Sequence, residues 1–405
     1  MNVERIYASG LCMQCGTCAA VCPRDAIALK WDLRVGYRLH VDAAKSKCDD
    51  CGMCTAVCPA EGLDFSADAW WRERNGDAPT ADFLGPWRRL AFGWAAAEST
   101  RYAGASGGVA TAILQGALAG GVIDAALVVA MDPDNPLATK PVLATTADEF
   151  AACRGSKYNV AVTNVLLKRV LHEPGRYALV GLPCHIQGLR KAQHSFPRLR
   201  ERVVLALGIF CGRTAQPRAT EVAVRRAGID PGELVSVSYR GPDWPGGLRL
   251  VTRSGAVHEF PYPDYMDRYV DAYTPPRCRL CPDGLAELAD ISVGDAWLER
   301  FFGSPGVSGL IARTEAGEQL LDNLAPGWLT LTAATPEEVL ASQEPTHALK
   351  RRTLRGRLWL RRLAGRPVPA YPGVPSRLSA GDRLAGLADL TKEMVYRIAG
   401  DLRYR

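Results

Sequence analysis

Thirteen cysteines in 405 residues carry the most specific chemistry in this chain. Eight fall into two near-identical runs, Cys12-x2-Cys15-x2-Cys18-x3-Cys22-Pro23 and Cys48-x2-Cys51-x2-Cys54-x3-Cys58-Pro59. This is the bacterial ferredoxin spacing for a pair of 4Fe–4S clusters, in which the fourth cysteine of each run serves the other cluster. Cys12, Cys15, Cys18 and Cys58 are therefore expected around one cube, and Cys48, Cys51, Cys54 and Cys22 around the other. Gly16 and Gly52 relieve crowding in the loops, while Pro23 and Pro59 keep the last ligand out of a longer helix. Zinc also uses Cys-x2-Cys pairs, but usually as two separated pairs. Four cysteines in each compact run, twice, fit clusters better. Disulfides suit a secreted chain, and no secretory signal follows the N-terminal methionine.

Five cysteines lie outside these runs: Cys153, Cys184, Cys211, Cys278 and Cys281. Cys184 and Cys211 each follow the end of an apolar strand-like run. In a parallel sheet, such ends share a rim where cofactors collect. Cys278-x2-Cys281 on a loop could reach that rim, and four sulfurs there would hold a third 4Fe–4S cluster. Buried free thiols and zinc are the competing readings. Cys153 reads as a core thiol.

Anion chemistry has one candidate. Ser106-Gly107-Gly108 precedes a helix, where backbone N–H groups and the helix dipole suit a phosphate, although an ordinary helix start looks the same. No G-x-G-x-x-G fingerprint accompanies it, so a Rossmann nucleotide site is not supported. Lys157, in Gly155-Ser156-Lys157-Tyr158, is either a solvated lysine or a contact to a flavin or its phosphates.

The elements that must position these residues read as α/β. Val109–Ala119 shows one apolar helical face and stops at Gly120-Gly121. Residues 122–130, 177–182 and 203–210 read as buried strands. Residues 186–193, 220–227 and 315–323 read as helices, and Thr146 and Thr335 as capping-box starts. Residues 234–239, 248–253 and 256–260 read as antiparallel strands around a Ser254-Gly255 turn. Residues 290–295, 310–313 and 328–332 continue the alternation, and 384–402 reads as a terminal helix. The expected domains are a two-cluster ferredoxin module over 1–63, a tryptophan-bearing connector over 64–100, a catalytic domain over 101–340, and a basic helical extension over 341–405.

Composition bounds the rest. Apolar residues make up 47% and charged residues 23%, as in ordinary globular proteins. The longest apolar stretch, 121–131, is too short for a bilayer and contains Asp124, so no membrane span is expected and a reducing cytoplasm is the expected location. The net charge of +6 is uneven. Residues 345–381 lack acids and hold Lys350, Arg351, Arg352, Arg355, Arg357, Arg361, Arg362, Arg366 and Arg377. This segment reads as a solvated helix with Leu354, Leu358, Trp359 and Leu363 facing inward, or as a docking patch for an acidic redox partner. Nucleic acid is disfavoured, because no binding module accompanies the charge.

Taken as a set, Ser106-Gly107-Gly108, Gly155-Ser156-Lys157-Tyr158, Gly181-Leu182-Pro183-Cys184, Phe210-Cys211, Cys278-x2-Cys281 and residues 289–297, with Gly294 and Asp295, resemble the coenzyme F420 hydrogenase/dehydrogenase beta-subunit family. The resemblance covers roughly residues 1–340. It implies a non-Rossmann FAD site and a 4Fe–4S cluster at the second cysteine constellation. Members act on the deazaflavin coenzyme F420, in sulfite and formate systems, or as ferredoxin-dependent reductases of chlorophyll intermediates. Leu182 stands where the family usually has Thr, and Arg277 directly before Cys278 is atypical.

The expected fold is thus a two-cluster ferredoxin domain followed by a non-Rossmann α/β flavin domain with an antiparallel insertion. The expected activity is an iron–sulfur flavoenzyme that passes single electrons through clusters to FAD for hydride reduction of a small organic substrate. The alternatives are a coenzyme F420:ferredoxin oxidoreductase and an electron-transfer subunit of a larger complex. Ferredoxin or another acidic carrier is the expected partner, and self-association into a homo-oligomer is compatible with the sequence. Lys157, His185 and Asp295 are the candidate catalytic groups, with His185 either a proton donor or a hydrogen-bonded structural histidine.

Overall fold

Tyr177–Gly181 and Val203–Ile209 are apolar on both alternating faces, which is the pattern of strands covered on both sides. In the computed structural model they lie side by side at the centre of a sheet. Residues 3–42, 47–63, 76, 78–240, 244–371 and 379–401 are described. Much of the expected connector, with Trp70 and Trp71, and Arg377 in the basic segment lie outside the described residues.

Ala125–Met131, Tyr177–Gly181, Val203–Ile209 and Ile291–Asp295 run parallel as neighbours. Antiparallel strands extend the sheet to eight. Thr139–Ala144 flanks one side, and Ser308–Ala312, Arg89–Ala95 and Leu329–Ala333 flank the other. One face packs on the helices Val109–Ala119 and Glu315–Leu324, through Ile113, Leu320, Leu321 and Leu324. The opposite face packs on Leu167–His172 and Pro183–Ser195, through Leu167, Val170, Ile186 and Leu189.

The N-terminal module holds a short helix, Glu4–Ala8, a hairpin, Ile27–Asp32 with Gly36–Val41, and two one-turn helices, Thr17–Ala20 and Met53–Ala56. Each helix starts at a left-handed glycine, Gly16 (φ 91°) or Gly52 (φ 77°), a conformation that other residues adopt at a cost. Ala20, Val21 and Val57 of this module join the core beneath Pro183–Ser195. The expected antiparallel insertion is present as Leu234–Ser238, Gly247–Thr252 and Val257–Pro261.

Three expectations change. Arg89–Ala95, assigned to the connector, is an inner strand of the sheet with Leu90, Ala91, Phe92 and Ala95 buried. Gly93 interrupts its apolar run because a Cβ there would press on the Thr330 carbonyl of the next strand. Thr139–Ala144 carries a lysine and a proline and was not expected as a strand. It lies at the sheet edge, where a missing N–H is tolerated. In the basic segment Leu354 and Leu358 are buried, but Leu363 is exposed beyond the turn that contacts the core. Among the described residues, no helix is long and apolar enough to cross a membrane.

Candidate redox site

The eight cysteines of the two runs lie in two groups. Cys22, Cys48, Cys51 and Cys54 line one small cavity, with Cys51 exposed. Cys12, Cys15, Cys18 and Cys58 lie close enough for their charges to act on one another. Burial pushes the Cys12 and Cys58 thiols up to about 12, so holding them as thiolates calls for a bound cation.

Cys184, Cys211, Cys278 and Cys281 line a third cavity, and Cys12 of the neighbouring set reaches its wall. Cys184 sits in the first turn of Pro183–Ser195. Cys211 follows Val203–Ile209, and Cys278 opens a short turn, Cys278–Leu280. The two strands are in register at Gly181 and Gly208, which brings the first two cysteines to one rim. Two buried polar atoms of this wall, Thr214 Oγ1 and Arg277 Nη2, have no hydrogen-bond partner. Such donors fit the sulfurs of a cluster.

The N-terminal module is fastened to this rim. Asn164 donates from Nδ2 to Thr17 Oγ1 and to the His185 carbonyl, both at 2.8 Å, and the Cys15 carbonyl accepts from Asn164 N–H at 3.0 Å. Lys191 donates to the Cys58 carbonyl at 2.9 Å, and Tyr37 to the Thr139 carbonyl at 2.7 Å.

A larger cavity of about 490 Å³ adjoins the third cysteine site and shares Ala161, Leu182, His185, Cys211 and Thr214 with it. It collects most residues singled out by sequence: Ser106, Gly108, Gly155, Ser156, Lys157, Tyr158, Gly181, Gly294 and Asp295. The Val109–Ala119 helix begins there at left-handed Gly108, with no side-chain cap on its first N–H groups. Thr163 Oγ1 and Arg213 Nε, on residues lining the same space, also lack partners. A polar, phosphate-bearing ligand such as FAD fits these donors.

Several assignments change in role. Gly107 is off the cavity wall, and its N–H donates to Ser308 Oγ at 3.0 Å, so it is spent on structure. Gly294 lines the cavity, but a Cβ there would collide with the Phe210 ring, so packing accounts for it. His185 is not placed as a proton donor. Its Nδ1 accepts from Leu182 N–H at 3.1 Å, its Nε2–H donates to the Ala161 carbonyl at 2.9 Å, and burial pushes it down to about 4. Asp295 is not a free acid or base, because Arg240 spans its carboxylate at 3.0 and 3.3 Å and Trp244 Nε1 donates to it at 2.7 Å. Lys157 lines the cavity, yet its ammonium donates to the Cys153, Arg154 and Gly155 carbonyls. Burial lowers it to about 8. Cys153 also lines this cavity rather than lying wholly in the core.

Sequence reasoning missed Arg240. Its buried guanidinium donates to the Ala105 carbonyl at 2.7 Å and to Tyr158 Oη at 3.2 Å, and lies 4.5 Å over the Tyr262 ring. It ties the glycine turn, the Gly155–Tyr158 segment and the end of Ile291–Asp295 together. One arginine among 49 basic residues gave no signal. The basic segment is likewise mostly structural. Arg351 pairs with Asp82 and Glu287, Arg357 with Asp389, and Arg361 donates to the Ser9 carbonyl.

Comparisons with known proteins agree with this arrangement. Residues 91–168 match the family model for the N-terminal part of the coenzyme F420 hydrogenase/dehydrogenase beta subunit, and residues 175–337 match that for its C terminus, together more than half of the chain. Residues 11–62 match a 4Fe–4S dicluster domain. The chain is 29% identical over 274 residues to the coenzyme F420 hydrogenase subunit beta of Methanothermobacter thermautotrophicus, spanning 65% of this chain and 91% of that one. It is 27% identical over 334 residues to the coenzyme F420-dependent sulfite reductase of Methanocaldococcus jannaschii, spanning 79% of this chain and 47% of that one. A chain of the solved F420-reducing nickel–iron hydrogenase complex from Methanosarcina barkeri shares the fold, with a TM-score of 0.56 at 22% identity over 70% of this chain and 96% of that one. With both parts of its defining domain present behind a dicluster module, the chain belongs to the coenzyme F420 hydrogenase/dehydrogenase beta-subunit family of iron–sulfur oxidoreductases.

Proposed function

We propose that this chain is an iron–sulfur flavoenzyme that joins one-electron carriers to hydride exchange with a small organic molecule. The observation that carries the reading is the contiguity of sites. Cys12 reaches the cavity of Cys184, Cys211, Cys278 and Cys281, and that cavity shares five wall residues with the 490 Å³ pocket. When bound, 4Fe–4S clusters carry electrons singly and FAD exchanges them in pairs as hydride.

The chain's own residues supply position and apolar surface. The three cysteine sets would hold iron. The N–H groups opening Val109–Ala119 take a phosphate, and Arg240 fixes the pocket's far wall through Asp295 and Tyr158. Val128, Val293 and Ile209 give the pocket an apolar stretch of wall. Cys51 is exposed, and ferredoxin or another acidic carrier would exchange electrons with the cluster that Cys22, Cys48, Cys51 and Cys54 would hold. Coenzyme F420 is the first small molecule to try, because relatives carry it in their names.

A second reading, an electron-transfer subunit of a larger assembly, is favoured by the solved relative's place in a hydrogenase complex. Anaerobic purification followed by cofactor extraction tests both. Released FAD, with loss of its absorbance on adding reduced coenzyme F420, supports hydride exchange. FAD that is reoxidised by another substrate and not reduced by F420 supports a different reductase. Iron without any FAD removes the flavoenzyme reading and leaves the electron-transfer subunit.

A further inference from the structure

Among the described residues, two cations beside the third cysteine site have no acidic partner. Arg277 is 1% exposed and Lys350 is 2% exposed. Both line the cavity of Cys184, Cys211, Cys278 and Cys281, and neither forms an ion pair with a carboxylate among the described residues. Asp283 lines the same cavity, but it accepts from Gln187 Nε2 at 3.1 Å and from the Leu285 and Glu287 N–H groups. Burying an uncompensated cation is costly, so these two call for a negative group at this place. A thiolate-bound cluster is such a group, and it gains one further negative charge on reduction.

The two cations stand differently. Arg277 lies between two cysteine sets. Its Nε donates to the Ala60 carbonyl at 3.1 Å, two residues past Cys58, and its Nη1 to the Leu280 carbonyl at 3.0 Å, inside the Cys278–Cys281 loop. Its charge acts on Cys12 and Cys58 on one side and on Cys278 on the other. Its unpartnered Nη2 completes a guanidinium lodged at the junction. Lys350 comes from beyond the family match. Its Nζ lies 3.4 Å from the Cys278 carbonyl, and its charge acts on Cys211 and Cys278.

We propose that Arg277 and Lys350 set the reduction potentials of the clusters. Arg277 raises the potentials of the Cys12/15/18/58 cluster and the third cluster together, and Lys350 raises that of the third cluster alone. A fixed charge between two carriers moves both in the same direction and leaves the gap between them unchanged, whereas Lys350 shifts the third cluster relative to its neighbour. The inference rests on the third-cluster reading above.

The test is an anaerobic, spectroscopically monitored redox titration of the full chain. Arg277→Gln should lower two midpoints, each enough to change the oxidised-to-reduced ratio at fixed potential about tenfold, or about 59 mV for a one-electron couple. The cluster of Cys22, Cys48, Cys51 and Cys54 should not move. Arg277→Lys should restore most of the shift, which a purely packing role would not do. Lys350→Met should lower one midpoint. Unchanged midpoints, or equal shifts in all three clusters, overturn the proposal. Should Arg277→Gln lose its iron, Lys350→Met decides: a lowered third midpoint supports the proposal and an unchanged one overturns it. A wild-type chain with signals from two clusters instead removes the third-cluster reading itself.

Discussion

Lys157 keeps a charge where the surroundings disfavour it. Three carbonyls, those of Cys153, Arg154 and Gly155, hold its ammonium at the end of the Ala147–Ala152 helix, while burial lowers its pKa to about 8. Below pH 8 the folded and unfolded chains are both protonated, and the desolvation penalty is present in full. Between about pH 8 and the ordinary lysine value near 10.5, the folded chain releases a proton that the unfolded chain retains, so stability rises with pH. Lys157→Met should remove that rise. Anaerobic urea midpoints of the two proteins should therefore diverge in favour of wild type from pH 7 to pH 10, and a constant difference would count against a lowered lysine. Arg240 makes the opposite case, a charge well compensated by Asp295. Arg240→Gln leaves that carboxylate without its cation, at the lower end of about 3–5 kcal/mol because Asp295 is one-fifth exposed. Denaturation midpoints would report the stability loss, and, on the proposed flavoenzyme reading, extraction would show reduced flavin retention.

The Pro183–Ser195 helix is the element on which the modules meet. One face carries Ile186 and Leu189 into the core, its first turn presents Cys184, and Gly188 lies against the N-terminal module. A Cβ on Gly188 would press into Thr17 Oγ1 and stand 3.2 Å from Asn164 Nδ2 and 3.4 Å from Cys15 Sγ. Helix propensity alone favours alanine over glycine here by about 1 kcal/mol. Overpacking costs about 1–3 kcal/mol and should win. Gly188→Ala is thus expected to lower the melting temperature and slow electron passage between the Cys15 and Cys184 sides with iron content unchanged, as rapid-freeze spectroscopy would reveal. Unslowed transfer would mean that the contact does not set the spacing. Elements with one dominant periodic signal were legible in sequence. Val109–Ala119 carries an uninterrupted apolar face, and Val203–Ile209 an uninterrupted apolar run. Arg89–Ala95 and Thr139–Ala144 were not, because a glycine at a tight strand crossing and a proline at an edge are standard signs of non-strand.

At the scale of the molecule, cysteine spacing announced where iron should go but not how the modules are held together. Asn164–Thr17, Tyr37–Thr139 and Lys191–Cys58 join residues far apart in sequence, and such pairs leave no periodic trace. The acid-free segment was legible as basic and helical, yet it serves as a strap. Leu354 and Leu358 complete a core with Val3, Ile6, Leu11, Leu39 and Leu280. Ala370 N–H donates to the Glu61 carbonyl at 2.8 Å, and Tyr371 Oη donates to the Leu280 carbonyl at 2.9 Å. The segment therefore touches the N-terminal module and the Cys278–Leu280 turn at once. Leu354→Ala should cost about 2–5 kcal/mol through the cavity it leaves. That loss should be local. Hydrogen exchange should quicken across residues 3–11 and 278–281, while Val203–Ile209 and Ile291–Asp295, packed in separate cores, stay protected. Uniform quickening across the sheet would mean the modules unfold as one unit. Unchanged exchange in both regions would mean the strap merely lies on a module that holds itself.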